Sequence, residues 1–123
     1  MYYIISLHHT NPKEKYLTLW RPNNAGYCYS KEMAGTYENP EIGYHDSDIN
    51  MPLPVQQADT LFQETMYDGQ LKNMIPNTKE TWKVLGLNMT KNGLQKVKPK
   101  QVQKTKQKPS TQIDDNIENE SYR

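Results

Sequence analysis

The chain has 123 residues, 34% hydrophobic and 24% charged, with a formal net charge of +1, and its mean hydropathy is −1.00. That length allows one domain, and a composition so polar excludes a globule that uses every residue. Cys28 is alone, so no intrachain disulfide framework exists, and no stretch approaches the roughly 20 apolar residues a membrane span needs.

Residues 2–8 are aromatic and β-branched and read as a strand, with Tyr3, Ile5 and Leu7 on one face. The start has no basic stretch before its short apolar run, so no signal peptide is expected and the cytoplasm is the expected compartment. After the Asn11-Pro12 turn signal, residues 15–21 alternate. Leu17 and Leu19 point one way, and Tyr16, Thr18 and Trp20 the other. An antiparallel hairpin is the simplest pairing. Trp20 opposite the leucines means that both faces are covered or that one is a binding surface.

Pro22 to Gly26 forms a turn, and Tyr27-Cys28-Tyr29 is a third short strand. Ser30 is placed to cap a brief helical turn through Ala34, ended by Gly35, before Thr36-Tyr37 returns to extended chain. Residues 38–54, punctuated by Pro40, Gly43, Pro52 and Pro54, read as a long irregular loop of the kind that is often functional. Pro54 suits the first turn of a helix, and Val55, Ala58, Leu61, Phe62 and Met66 line one helical face up to a stop at Asp68-Gly69. A second helix begins near Asn77 as cap, with Glu80 three residues on, and ends at Gly86. The order predicts an α+β fold: a short antiparallel sheet of two or three strands packed by two or three helices.

Charge divides the chain. Residues 1–90 hold seven basic and ten acidic side chains, and residues 91–108 hold seven lysines and no acid. Residues 109–123 hold Arg123 against Asp114, Asp115, Glu118 and Glu120. The expectation is a small domain over 1–90 followed by a disordered tail over 91–123, basic in 91–108 and acidic in 109–123.

Motifs for chemistry are sparse. Asp46, Asp48 and Asn50 match the first three ligand positions of an EF-hand loop, but Met51 and Gln57 stand where its Gly and bidentate Glu belong. His8, His9 and His45 with Asp46 are suitable metal ligands in type, without a ligand spacing such as H-x-x-x-H. Adjacent His8 and His9 on a strand face opposite ways. Cys28 and Ser30 lack an evident base, and Cys28 between two tyrosines reads as a small core residue. Neither common phosphate loop occurs. No metal and no cofactor is therefore assigned.

His9-Thr10, Leu17-Thr18-Leu19-Trp20-Arg21-Pro22, Gly26-Tyr27 and Ala34-Gly35-Thr36-Tyr37 together resemble a pattern found in small uncharacterised proteins encoded by bacteriophages and prophages. The resemblance covers roughly residues 2–45 and carries no catalytic residues. It implies an accessory role, host takeover or counter-defence, exerted by binding a host macromolecule.

The reading is thus a non-enzymatic accessory protein that binds and modulates a host protein or complex. Its contact residues are expected to be Trp20, Arg21, Tyr27, Tyr29, Glu41, Tyr44, Asp46 and Asp48. One alternative is a nucleic-acid-binding protein. In it Tyr16, Trp20, Tyr27 and Tyr29 with Arg21 form a stacking platform, and Lys91, Lys96, Lys98, Lys100, Lys104, Lys106 and Lys108 neutralise phosphates. The scarcity of arginine weighs against it. A second alternative is an enzyme with an unfamiliar site near His8, His45 and Asp46.

Overall fold

The structure is a computed structural model, and it describes residues 1–97, 116–117 and 119–122. It is α+β, as expected, but its strands are more numerous and form several small antiparallel sheets. The central element is β1 (Tyr2–Ser6). On one side it meets β2 (Leu19–Trp20), with Ile5 opposite Leu19, and β2 in turn pairs with β3 (Tyr27–Cys28). The predicted hairpin and third strand are therefore present.

On its other side β1 pairs along its whole length with β4 (Asn50–Pro54), from Tyr2 opposite Pro54 to Ser6 opposite Asn50. The last five residues of the expected loop are thus a strand. Pro52 and Pro54 disguised it, but proline is admissible where the missing N–H would face outward from a sheet edge, and the order β3-β2-β1-β4 leaves β4 at the edge.

Tyr3, Ile5 and Leu7 do share a buried face, with Leu17, Leu19, Leu53 and Ile75. Ile4, Ser6 and Trp20 are buried on the opposite side, so the sheet is covered on both faces.

The expected long helix from Val55 is only α1 (Val55–Asp59). Leu61 and Phe62 pack on the core from its last turn, and the chain then becomes β5 (Gln63–Tyr67), which pairs with β6 (Gln70–Met74). The Asp68-Gly69 pair is a hairpin turn rather than a helix stop. Both residues have positive φ, 52° and 77°, the geometry whose twist matches antiparallel strands. The predicted turn after Ser30 exists as one loop of chain, closed by Ala34 N–H on Ser30 C=O (3.0 Å). The Ser30 hydroxyl does not cap it, and is buried with no hydrogen-bond partner among the described residues.

The second helix, α2 (Lys79–Leu85), is capped by Thr78, whose hydroxyl accepts the Thr81 N–H, and ends at Gly86 in the left-handed region. Asn77 is drawn away from the cap. Its amide donates to the carbonyls of Asn11 (3.2 Å) and Glu14 (2.8 Å), and its Oδ1 accepts Trp82 Nε1–H (2.7 Å).

The expected boundary after residue 90 is overturned. β7 (Leu87–Thr90) pairs with β8 (Gly93–Lys96), and Leu94 is buried in the core with its N–H on Leu7 C=O (3.0 Å). The lysine-rich composition concealed this strand because only Leu94 of its four side chains is an apolar core residue. Gly93 lets the hairpin approach β1: a Cβ there would lie 2.7 Å from Leu7 O. Asn116–Ile117 (β9) and Asn119–Tyr122 (β10) pair with each other. The rest of the expected tail lies outside the described residues. No helix among them is long and apolar enough to cross a membrane.

Two outcomes follow from the role of β8. Leu94→Ala should lower unfolding free energy by about 2–4 kcal/mol in denaturant titration. Gly93→Ala, which adds a methyl at φ +113° against Leu7 and His8 backbone, should also lower the thermal midpoint, whereas the same change at Lys91 should leave it nearly unmoved.

Candidate functional site

Strand alternation sends Leu19 into the core and Trp20 to the opposite face, where the long loop before β4 folds over it. Trp20 is only 6% exposed. Tyr27, directly across from it in β3, Tyr37, Tyr44 and His45 surround the indole with centroids 6.1, 6.4, 5.3 and 5.2 Å away. All four rings stand at steep angles, from 69° to 88°, the edge-to-face geometry that aromatic quadrupoles favour.

The polar atoms of this assembly are satisfied from within. Trp20 Nε1–H donates to Asn50 Oδ1 (3.3 Å), and Asn50 Nδ2 donates to the Tyr44 carbonyl (2.9 Å). His45 is buried; its Nδ1 accepts the Glu41 N–H (2.9 Å), so the ring proton sits on Nε2 and is donated to Asn24 Oδ1 (2.9 Å). The Tyr37 hydroxyl donates to the Arg21 carbonyl and accepts the Asn24 N–H. Asn23 and Asn24 both adopt positive φ, 59° and 58°, which asparagine tolerates better than most residues. Gly35 closes the support. Its N–H bonds the Trp20 carbonyl (2.9 Å), and a Cβ there would fall 2.5 Å from Pro22 Cα.

Above this base lies a cleft of about 390 Å³ lined by Trp20, Asn24, Gly26, Tyr27, Gly43, Tyr44, Ser47, Ile49 and Asn50. No charged side chain lines it. Tyr27, Tyr44 and Ile49 are 43%, 46% and 48% exposed, and Ile42, on the same loop, is 92% exposed.

Of the expected contact residues, Trp20, Tyr27 and Tyr44 converge here, and Arg21 flanks them with Nε–H on the Tyr27 carbonyl (2.8 Å). Trp20 serves as a floor rather than an exposed anchor. Glu41 contributes its backbone: its carbonyl accepts N–H groups of Tyr44, His45 and Asp46. Asp46 instead pairs with Lys96 at 2.7 Å. Asp48 lines a separate cleft with His8, Ile49 and Leu94. Tyr29 lies apart, in a cluster with Tyr16 and Tyr67.

The stacking platform of Tyr16, Trp20, Tyr27 and Tyr29 is therefore not one surface. Lys96 is engaged with Asp46, Lys91 stands in the exposed β7–β8 turn, and Lys98, Lys100, Lys104, Lys106 and Lys108 lie outside the described residues. The EF-hand-like residues also diverge, since Asn50 is committed to Trp20 and Asp46 to Lys96. His8, His45 and Asp46 do not form a shared site, and among the described residues no group of three His, Cys, Asp or Glu could hold a metal ion. Cys28 is buried, its Sγ facing the Ser30 carbonyl, and burial pushes its thiol up, away from nucleophilic thiolate.

Asn24 and Tyr37 were not marked as site residues by the sequence, and His45 and Asn50 were marked for metal chemistry rather than for the support they give. Each acts through a partner 6 to 30 positions away, so no local spacing announces them. No protein-family model, curated protein or solved structure matches the chain.

The Tyr29 hydroxyl donates to the Glu14 carboxylate, and that bond, reinforced by burial, holds its pKa up at about 12. The folded state thus keeps this proton more tightly than the unfolded chain. The resulting stability is present below pH ~10 and lost as pH rises toward about 12. Glu14→Gln should bring the Tyr29 titration back toward the ordinary tyrosine range, as read by pH-dependent NMR of the tyrosine ring carbons. Asn50→Ala, which strands the buried Trp20 N–H, should lower unfolding free energy by about 1–3 kcal/mol.

Proposed function

We propose that this chain is a non-enzymatic binding protein of the kind bacteriophages encode, acting on a host protein or complex in the host cytoplasm. In this reading the cleft above Trp20 and its rim are the contact surface. The observation that carries the proposal is the clustering of three exposed apolar side chains, Tyr27, Tyr44 and Ile49, around one concavity. Aromatic anchors beside a pocket are the usual form of an interface hot spot, and singly scattered exposed residues are not. The rings of Tyr27 and Tyr44 are held by packing on Trp20, so little side-chain entropy is lost when a partner covers them.

Phage origin and a host target rest on the string resemblance over residues 2–45. Residues 1–97, which include β8, hold nine basic and ten acidic side chains, so charge selects no sign of partner and the apolar rim carries the contact. A neutral, hydrogen-bonded base with no gathered nucleophile, acid or metal ligands suits binding better than catalysis.

The test is capture by the tagged full chain from host lysate after nuclease treatment. A stoichiometric protein should be retained. Tyr44→Ala and Ile49→Asp, both at the cleft, should each weaken its affinity about tenfold or more, while Val84→Asp, exposed on α2, should leave it unchanged. Loss of all bound material on nuclease treatment would favour nucleic acid instead.

A further inference from the structure

Among the described residues the outer edge of β5 is unpaired, and its geometry is self-complementary. The direction of its backbone groups is set by its neighbour. Asn73, opposite Glu64 in β6, turns its carbonyl away to Lys31 N–H (2.8 Å) and its own N–H to Glu32 Oε1 (3.1 Å). Glu64 and Asn73 are therefore a wide pair, and by alternation Glu64 and Met66 direct their N–H and C=O groups outward from the hairpin. The two-residue turn at Asp68-Gly69 gives the same phase, since the flanking Tyr67 and Gln70 close it as a hydrogen-bonded pair. Among the described residues no backbone group pairs with this outer edge.

The molecule's other long edge is protected and this one is not. β4 carries Pro52 and Pro54. β5 has no proline, no lysine and an unbroken one-to-one register with β6, and Glu64 is its one charged residue, so it carries few of the devices that usually prevent strand addition.

We infer that β5 is a homotypic docking edge on which a second copy of this chain adds its own β5, antiparallel and centred on Thr65. In that register Glu64 faces Met66 of the second copy, Gln63 faces Tyr67 of the second copy, and the two Thr65 residues meet at the two-fold axis. The outward groups of Glu64 and Met66 then form two narrow pairs, satisfying four hydrogen bonds. Centring on Glu64 would oppose two carboxylates, and centring on Met66 would oppose Glu64 to Asp68. Charge therefore selects the Thr65 register. Met66 and Leu71, opposite one another and 64% and 59% exposed, lie on one face of the hairpin, and the two-fold places both such pairs on the same side of a four-stranded sheet. The closed symmetry stops addition at two copies. Five residues from each chain make a contact smaller than the roughly 1,200–2,000 Å² of a stable interface, so the association is weak and concentration-dependent.

The experiment is sedimentation equilibrium of the full chain from about 10 µM to about 1 mM, a span over which mass action resolves weak association. The average mass should rise toward twice the monomer. Met66→Pro removes an outward N–H without touching the β6 ladder, and Thr65→Glu apposes two carboxylates at the axis while facing Lys72 within its own hairpin. Both should remain monomeric over the whole range, with circular dichroism and melting in dilute solution matching the parent. Thr65→Cys should oxidise to a covalent dimer and Gln63→Cys should not, because only position 65 meets itself. A flat mass for the parent chain, a rise that persists in Thr65→Glu, or equal cross-linking at 63 and 65 would overturn the inference. Tyr44→Ala should self-associate like the parent, so this result stands or falls separately from the proposed cleft function.

Discussion

Strand β1 is hydrogen-bonded along both edges and buried on both faces, and each part of the candidate site is anchored to it. Tyr2 exchanges both backbone bonds with Tyr37 (2.9 and 2.7 Å), which supplies one ring beside Trp20. Ser6 N–H bonds the Thr18 carbonyl (2.8 Å), fixing the strand that delivers Trp20. Leu7 N–H bonds the Ile49 carbonyl (2.8 Å), fixing the far rim of the cleft, and Leu7 C=O receives β8. A chain with so little apolar material concentrates it where one strand can serve several elements at once.

The loop over Trp20 is ordered by side chains rather than by ladders. Irregular backbone over a buried aromatic leaves amides and carbonyls that water cannot reach, and each must find a partner. Asn50, Asn24, His45 and the Glu41 backbone provide those partners in a connected set. The outcome is a preformed concavity with neutral walls.

Thr10, Gly35 and Tyr37 have a structural logic of their own. Thr10 is fully buried, donating to the Ser6 carbonyl and accepting the Thr18 N–H (3.0 Å), which ties the first turn to both strands. Gly35 permits contact with Pro22, and Tyr37 bonds the Arg21 carbonyl. Gly35 and Tyr37 thereby support the aromatic base, and Thr10 the strands that deliver it.

Where neighbours along the chain decide the outcome, the residue order alone was sufficient: the β-branched run of β1, the alternation through Trp20, the glycine stop of α2 and the antiparallel pairing of the first strands. It also marked Trp20, Tyr27 and Tyr44 as residues of interest. Tertiary contacts decided the rest. A helix-like apolar spacing from Val55 to Met66 gave way to a hairpin, since the Asp68-Gly69 turn and the Ser30–Lys31 edge offered β6 partners that a helix could not use. Two prolines hid β4, and lysines hid β8, because strand identity there depends on which edge lies open and on whether one leucine reaches the core. Whether an aromatic faces a ligand or a neighbouring ring is likewise a property of contacts between distant segments, and it is those contacts that turned Trp20 from a surface into a floor.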